Sequence, residues 1–73
     1  MPQHRYFFNS NRLIEIAADA GDHTGYAIAQ RTGLSEGTLS RIINGRRQPK
    51  LDSAAHLART YGVALDDLVS VAA

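Results

Sequence analysis

TGYAIAQRTGLSEGTLSRIIN, residues 24–44, carries two short helical periods on either side of one glycine. Ile28, Ala29 and Thr32 fall on one face of the first period. Leu39, Ile42 and Ile43 stand at i, i+3 and i+4 in the second, a single stripe for burial. Gly33 takes positive φ without steric cost, so the chain can reverse within Thr32-Gly33-Leu34-Ser35. Thr24 and Ser35 are placed to cap the two helices by accepting backbone N–H groups. Ala29 lets the two backbones approach closely; a larger side chain there would hold them apart.

Ala29, Gly33, Leu39 and Ile42 have the spacing of a helix-turn-helix. Each residue alone is common, but both starts carry caps and Asn44-Gly45 supplies a stop, so the elements agree with one another. Outward from this motif, Asn9 or Ser10 can cap a first helix running to about Ala20, with Leu13, Ile14, Ile16, Ala17 and Ala20 on its apolar side. Gly21 ends it, and Asp22-His23 bridge to Thr24. Beyond Gly45, Arg46-Arg47-Gln48-Pro49-Lys50 is a polar connection leading to a fourth helix, about Leu51 to Tyr61. Leu51, Ala54, Leu57, Ala58 and Tyr61 are expected to face inward there; Asp52, Ser53, His56, Arg59 and Thr60 outward. A short fifth helix is expected near Leu65–Val69, before an apolar tail.

Residues 1–9 read as an extended arm and residues 10–73 as one domain. Pro2 and the run Tyr6-Phe7-Phe8 favour a short strand, which has three places to go: against the bundle, onto the C-terminal tail, or onto a second copy. His4 and Arg5 give this arm a basic end that a phosphate or minor groove would accept.

With 73 residues the chain has room for little interior, which favours a helical bundle built on local contacts. A hydrophobic fraction of 44% with 21% charged residues is that of a folded, soluble domain, not a disordered one. Cysteine is absent, which excludes disulfides, thiol catalysis and zinc–thiolate sites. No apolar run approaches the roughly 18 residues of a membrane span, and no leader pattern opens the chain. A cytoplasmic protein is expected. Net charge is only +1, but Arg41, Arg46, Arg47 and Lys50 lie together with no acid between them, a basic face suited to phosphate. His4, His23 and His56 are scattered and read as surface residues, while Asp66-Asp67 read as an exposed acidic helix start. Neither a metal, a cofactor, a catalytic group nor a small-molecule effector is expected.

TGYAIAQRTGLSEGTLSRIINGRRQP followed by LARTYGVALDDLV resembles the lambda repressor and Cro type of helix-turn-helix domain, the XRE family. The similarity runs from about Asn11 to Val69. It implies an all-α, five-helix bundle in a bacterial or phage regulator, usually dimeric on DNA and associated with the nucleoid. Three positions depart from the family's habit. Gly25 stands where a phosphate-binding glutamine is common, Gly37 where a long polar reader is usual, and Lys50 where a serine cap is usual.

In such a domain the second motif helix enters the major groove N-terminus first. Its free face would show Glu36, Gly37, Ser40, Arg41 and Asn44. Base contacts are expected from Glu36, Gly37, Ser40 and Arg41, with Arg41 forked onto a guanine and Glu36 accepting from a cytosine amino group. Phosphate contacts are expected from Thr24, Gly25, Ser35, Thr38, Asn44, Arg46, Arg47 and Lys50. The partner is then double-stranded DNA, met by a homodimer, and the activity transcriptional repression. Two other functions fit the same residues: the antitoxin of a toxin–antitoxin pair, and a protein-interaction module that never meets DNA.

Overall fold

Asn9 opens the first helix. The structure, a computed structural model, describes residues 6–71, so the expectations for His4, Arg5 and the Ala72-Ala73 end lie outside the described residues. Helix α1 spans Ser10–Asp19, and the Asn9 side chain accepts the Arg12 N–H at 3.0 Å. Helix α2, Gly25–Thr32, begins at Thr24, whose hydroxyl accepts the Ala27 N–H at 3.0 Å. Gly33 closes it at φ +80° with its N–H on the Ala29 carbonyl, the left-handed turn that any L side chain would strain. Helix α3 runs Glu36–Ile43 from a Ser35 cap. Helix α4 runs Leu51–Tyr61; its cap position, Lys50, gives no side-chain hydrogen bond, in line with the departure noted in the sequence.

Leu13, Ile16 and Ala17 of α1 meet Ile28 and Ala29 of α2, Leu39 and Ile42 of α3, and Ala54, Leu57 and Ala58 of α4 in one core. Leu13, Leu39, Ala54 and Leu57 keep no exposed surface at all. Thr32 is buried among them with its hydroxyl donated to the Ile28 carbonyl, so its polar atom is satisfied.

The expected fifth helix is not formed. Leu65–Asp67 make a single 3-10 turn, and Val69–Val71 form a strand, β2, antiparallel to β1, Tyr6–Phe8. Tyr6 lies opposite Val71, Phe7 opposite Ser70 and Phe8 opposite Val69. Among the described residues the fold is therefore four α-helices, one 3-10 turn and a two-stranded sheet, where an all-α bundle of five was expected. The physical reason lies in Val69-Ser70-Val71: two β-branched residues in alternation suit a strand, and a partner strand is at hand. The aromatic arm takes two of the three places open to it: it pairs with the C-terminal tail, and Tyr6 and Phe8 pack against the core. Leu68 and Val69 are still buried, as the sequence suggested, but at the junction of turn and strand.

Several faces are also revised. Leu51, expected inside, is 47% exposed because it begins α4 beyond the core's edge, while Pro49 is buried. Ile14 and Ala20 are exposed. His56, expected outside, is half-buried with Nε2 at 2.7 Å from the Thr32 carbonyl, joining α4 to the end of α2. Ser53 and Thr60 are half-buried too, and the Thr60 hydroxyl donates to the His56 carbonyl.

Asp22 is the largest surprise of the connections. Its carboxylate receives a forked pair of bonds from Arg31 Nε and Nη2 and a third from the Tyr61 hydroxyl at 2.7 Å. The Arg31 guanidinium also lies 5.7 Å from the Tyr61 ring centre and reaches the Ala20 carbonyl. One short loop thereby ties α1, α2 and α4. Arg31, then Tyr61, hold the Asp22 carboxyl below the usual carboxylate range against the opposing effect of burial. Burial first, and then the bond to Asp22, push the Tyr61 phenol well above its ordinary value.

Candidate nucleic-acid interface

With Leu39 and Ile42 buried, the opposite face of α3 carries Glu36, Gly37, Ser40 and Arg41 in solvent, and Asn44 follows at its end. Glu36 stands at the helix start, where the backbone dipole favours an acid. Arg41 leans back along the helix: a Cβ added to Gly37 would lie 3.8 Å from Arg41 Nη1. The missing side chain at residue 37 therefore leaves the guanidinium open space over the leading turns. Among the described residues the ion pairs are Arg12–Glu15 and Arg31–Asp22, so Arg41, Arg46, Arg47 and Lys50 keep their charges uncompensated there.

A surface depression gathers Thr24, Gly25, Tyr26, Glu36, Ser40, Ile43 and Asn44. It brings the start of α2 against the exposed face of α3. Five residues expected from the sequence to meet DNA thus border one hollow: Thr24, Gly25, Glu36, Ser40 and Asn44. At Gly25 an added Cβ would meet Ile43 Cδ1 at 3.5 Å, ordinary contact, so the glycine is not demanded by packing. Ser40 and Asn44 are linked by a long 3.4 Å contact that leaves both side chains available. Ser35 and Thr38 stand apart from that hollow: the Ser35 hydroxyl accepts the Thr38 N–H and donates to the Thr38 hydroxyl at 2.8 Å. Their oxygens serve the cap first.

The basic loop is folded back onto α3. Gly45 at φ +72° turns the chain, and the N–H groups of Arg46 and Arg47 both donate to the Arg41 carbonyl, at 2.8 and 3.2 Å. Beyond it the terminal sheet holds the connection in place. The Tyr6 hydroxyl donates to the Pro49 carbonyl at 2.7 Å, and Phe8 N–H donates to Gln48 Oε1 at 3.0 Å. Separately, the Ser10 hydroxyl at the start of α1 donates to the Ile42 carbonyl of α3 at 2.6 Å. Gln48 also blunts the open edge of β1 by occupying one of its N–H groups. Tyr6→Phe is expected to lower stability by about 0.5–1.5 kcal/mol, the net worth of one such bond. Urea unfolding should show it as a lower midpoint at unchanged slope.

The family model for helix-turn-helix proteins matches residues 14–68, most of the 73. The chain belongs to the XRE-type helix-turn-helix family. At the level of that family it is a DNA-binding transcription regulator. No match was found among curated proteins or among solved structures. The family match begins inside α1 and ends at Leu68, so both strands of the sheet that braces this XRE-type motif lie outside it. Among the described residues no helix is long and apolar enough to cross a membrane, and no cluster of metal-binding side chains occurs.

Two features of this surface escaped the sequence reading. Tyr26, exposed beside Gly25, had no mark in an amphipathic pattern that concerns only the buried face. The tether from Tyr6 and Gln48 to the basic loop joins residues about forty positions apart, which no local pattern encodes.

Proposed function

We propose that this chain is a sequence-specific transcriptional repressor that lays α3 in the major groove, as a dimer on a pseudo-palindromic site. The observation carrying the proposal is the exposed face of α3, with Arg41 unpaired among the described residues and the Arg46-Arg47 turn folded onto its end. Arg41 is assigned to a guanine edge and Glu36 to a cytosine amino group, with Gly37 and Ser40 close to the bases. Thr24, Gly25, Ser35, Thr38, Asn44, Arg46, Arg47 and Lys50 are assigned to the phosphates. Residues 10–73 act as the binding unit and residues 1–9 as its arm, in the cytoplasm with the nucleoid.

An eight-residue reading helix offers a small interface, which favours two copies over one. Half-sites would lie about one helical turn, roughly 34 Å, apart. Selection from random duplexes followed by footprinting is the test. A two-fold-related pair of protected half-sites is expected; no enrichment, together with no binding to random duplex in low salt, would remove DNA from the function.

The loop assignment has its own measurement. Arg46→Ala combined with Arg47→Ala is expected to weaken every duplex alike, by about tenfold at moderate salt, and to flatten the log–log salt dependence by about two contacts. An unaltered slope would take the loop out of the interface.

A further inference from the structure

We propose that Tyr26 is a DNA-backbone contact, its phenolic hydroxyl donating to a phosphate oxygen of the strand that crosses the start of α2. The proposal rests on the DNA-binding function above and adds a residue absent from it. Tyr26 is the second residue of α2 and is 58% exposed. The chain has three tyrosines. Two spend their hydroxyls inside the fold, Tyr6 on the Pro49 carbonyl and Tyr61 on Asp22. The Tyr26 hydroxyl meets no partner among the described residues.

Its place is as specific as its chemistry. Tyr26 borders the hollow that holds Thr24, Gly25, Glu36, Ser40 and Asn44, and also an adjoining one lined by Ala29, Gln30, Gly33, Leu34 and Glu36. The ring is thus a ridge between two depressions on the side where α3 shows its free face. Single exposed apolar side chains are ordinary on any protein. Phe7, Ile14 and Leu51, the other large ones, border neither hollow.

Charge points the same way. The basic residue of α2, Arg31, is bound to Asp22. Within α2 itself, a DNA strand crossing the helix start meets only uncharged side chains, Tyr26 among them, and the exposed His23 stands just before the Thr24 cap. Glu36, on the rim of both hollows, disfavours an anion seated deep in either. A phenol carries its donor outward from that carboxylate on a stiff ring, with little torsional freedom to lose.

The experiment titrates the parent chain, Tyr26→Phe and Tyr26→Ala against the selected duplex and a random one across a salt series, with ethylation interference on the selected duplex. Tyr26→Phe is expected to bind both duplexes about two- to tenfold more weakly, the span of one net hydrogen bond. The salt slope should stay at the parent's value, because no cation has been removed. One phosphate interference signal should disappear, Tyr26→Ala should bind no better than Tyr26→Phe, and the thermal midpoint of Tyr26→Phe should not move. Parental affinity in Tyr26→Phe would overturn the assignment, as would a loss confined to the selected duplex, which would make Tyr26 a base reader. A parent chain that binds neither duplex would overturn the repressor function and this contact together; a binding parent with an indifferent Tyr26→Phe overturns the contact alone.

Discussion

Arg41→Ala is expected to cost about 1–3 kcal/mol in binding the selected duplex and to erase preference at one base pair. The side chain is exposed, no acid pairs with it among the described residues, and its Nη1 lies over the bare Gly37 turn of α3. A guanidinium so placed has its fork free for the two acceptors of a guanine edge, with no internal partner to surrender first. Arg41→Lys is the informative control. It keeps the charge but not the planar fork, so binding to random duplex should persist while the base preference fades. Competition against a panel of single-base variants reads both effects. If Arg41→Ala ranked that panel as the parent does, Arg41 would be no reader, and the loss of affinity would be charge alone.

The parts of this fold legible in the sequence are those whose cause is local. Thr24, Gly33 and Ser35 cap or turn the chain within three or four residues of themselves, and all three do so in the structure. The stripe Leu39, Ile42 and Ile43 is a property of one helix; Leu39 and Ile42 are buried, and Ile43 is half-buried at its edge. The same rule fixes the free face of α3 by exclusion, which is why Glu36, Gly37, Ser40 and Arg41 were nameable as a set and are exposed as a set.

Where the sequence misleads, the deciding partner is distant. Leu65–Val69 has the apolar spacing of a helix, yet Val69–Val71 pair with Tyr6–Phe8 across nearly the whole chain. Local propensity yields there to a strand that only the folded core brings near. His56 is polar and sits on the side of α4 expected to face water, but Thr32 at the end of α2 offers it a carbonyl. Leu51 shows the converse, since its apolar character cannot bury it where the core has ended.

Asp22→Asn is expected to lower the thermal midpoint by about 5–10 °C near neutral pH, a large fall for a chain of 73 residues. The carboxylate accepts from Arg31 and from Tyr61 at once, and its side chain keeps only 11% of its surface. Asparagine has the same shape, but it removes the charge that faces the guanidinium and offers one carbonyl oxygen in place of two. Because the folded protein holds the Asp22 carboxyl below its unfolded value of about 3.9, its contribution is fully present above that pH. It is lost as the pH falls through the depressed folded value. The gap between parent and Asp22→Asn should accordingly be constant from pH 5 to 8 and close progressively below about pH 4. Thermal midpoints measured across that range decide the matter. A gap that persisted undiminished in acid would mean that the aspartate acts by shape and neutral hydrogen bonding. The three-helix tie at Asp22 would then owe nothing to its charge.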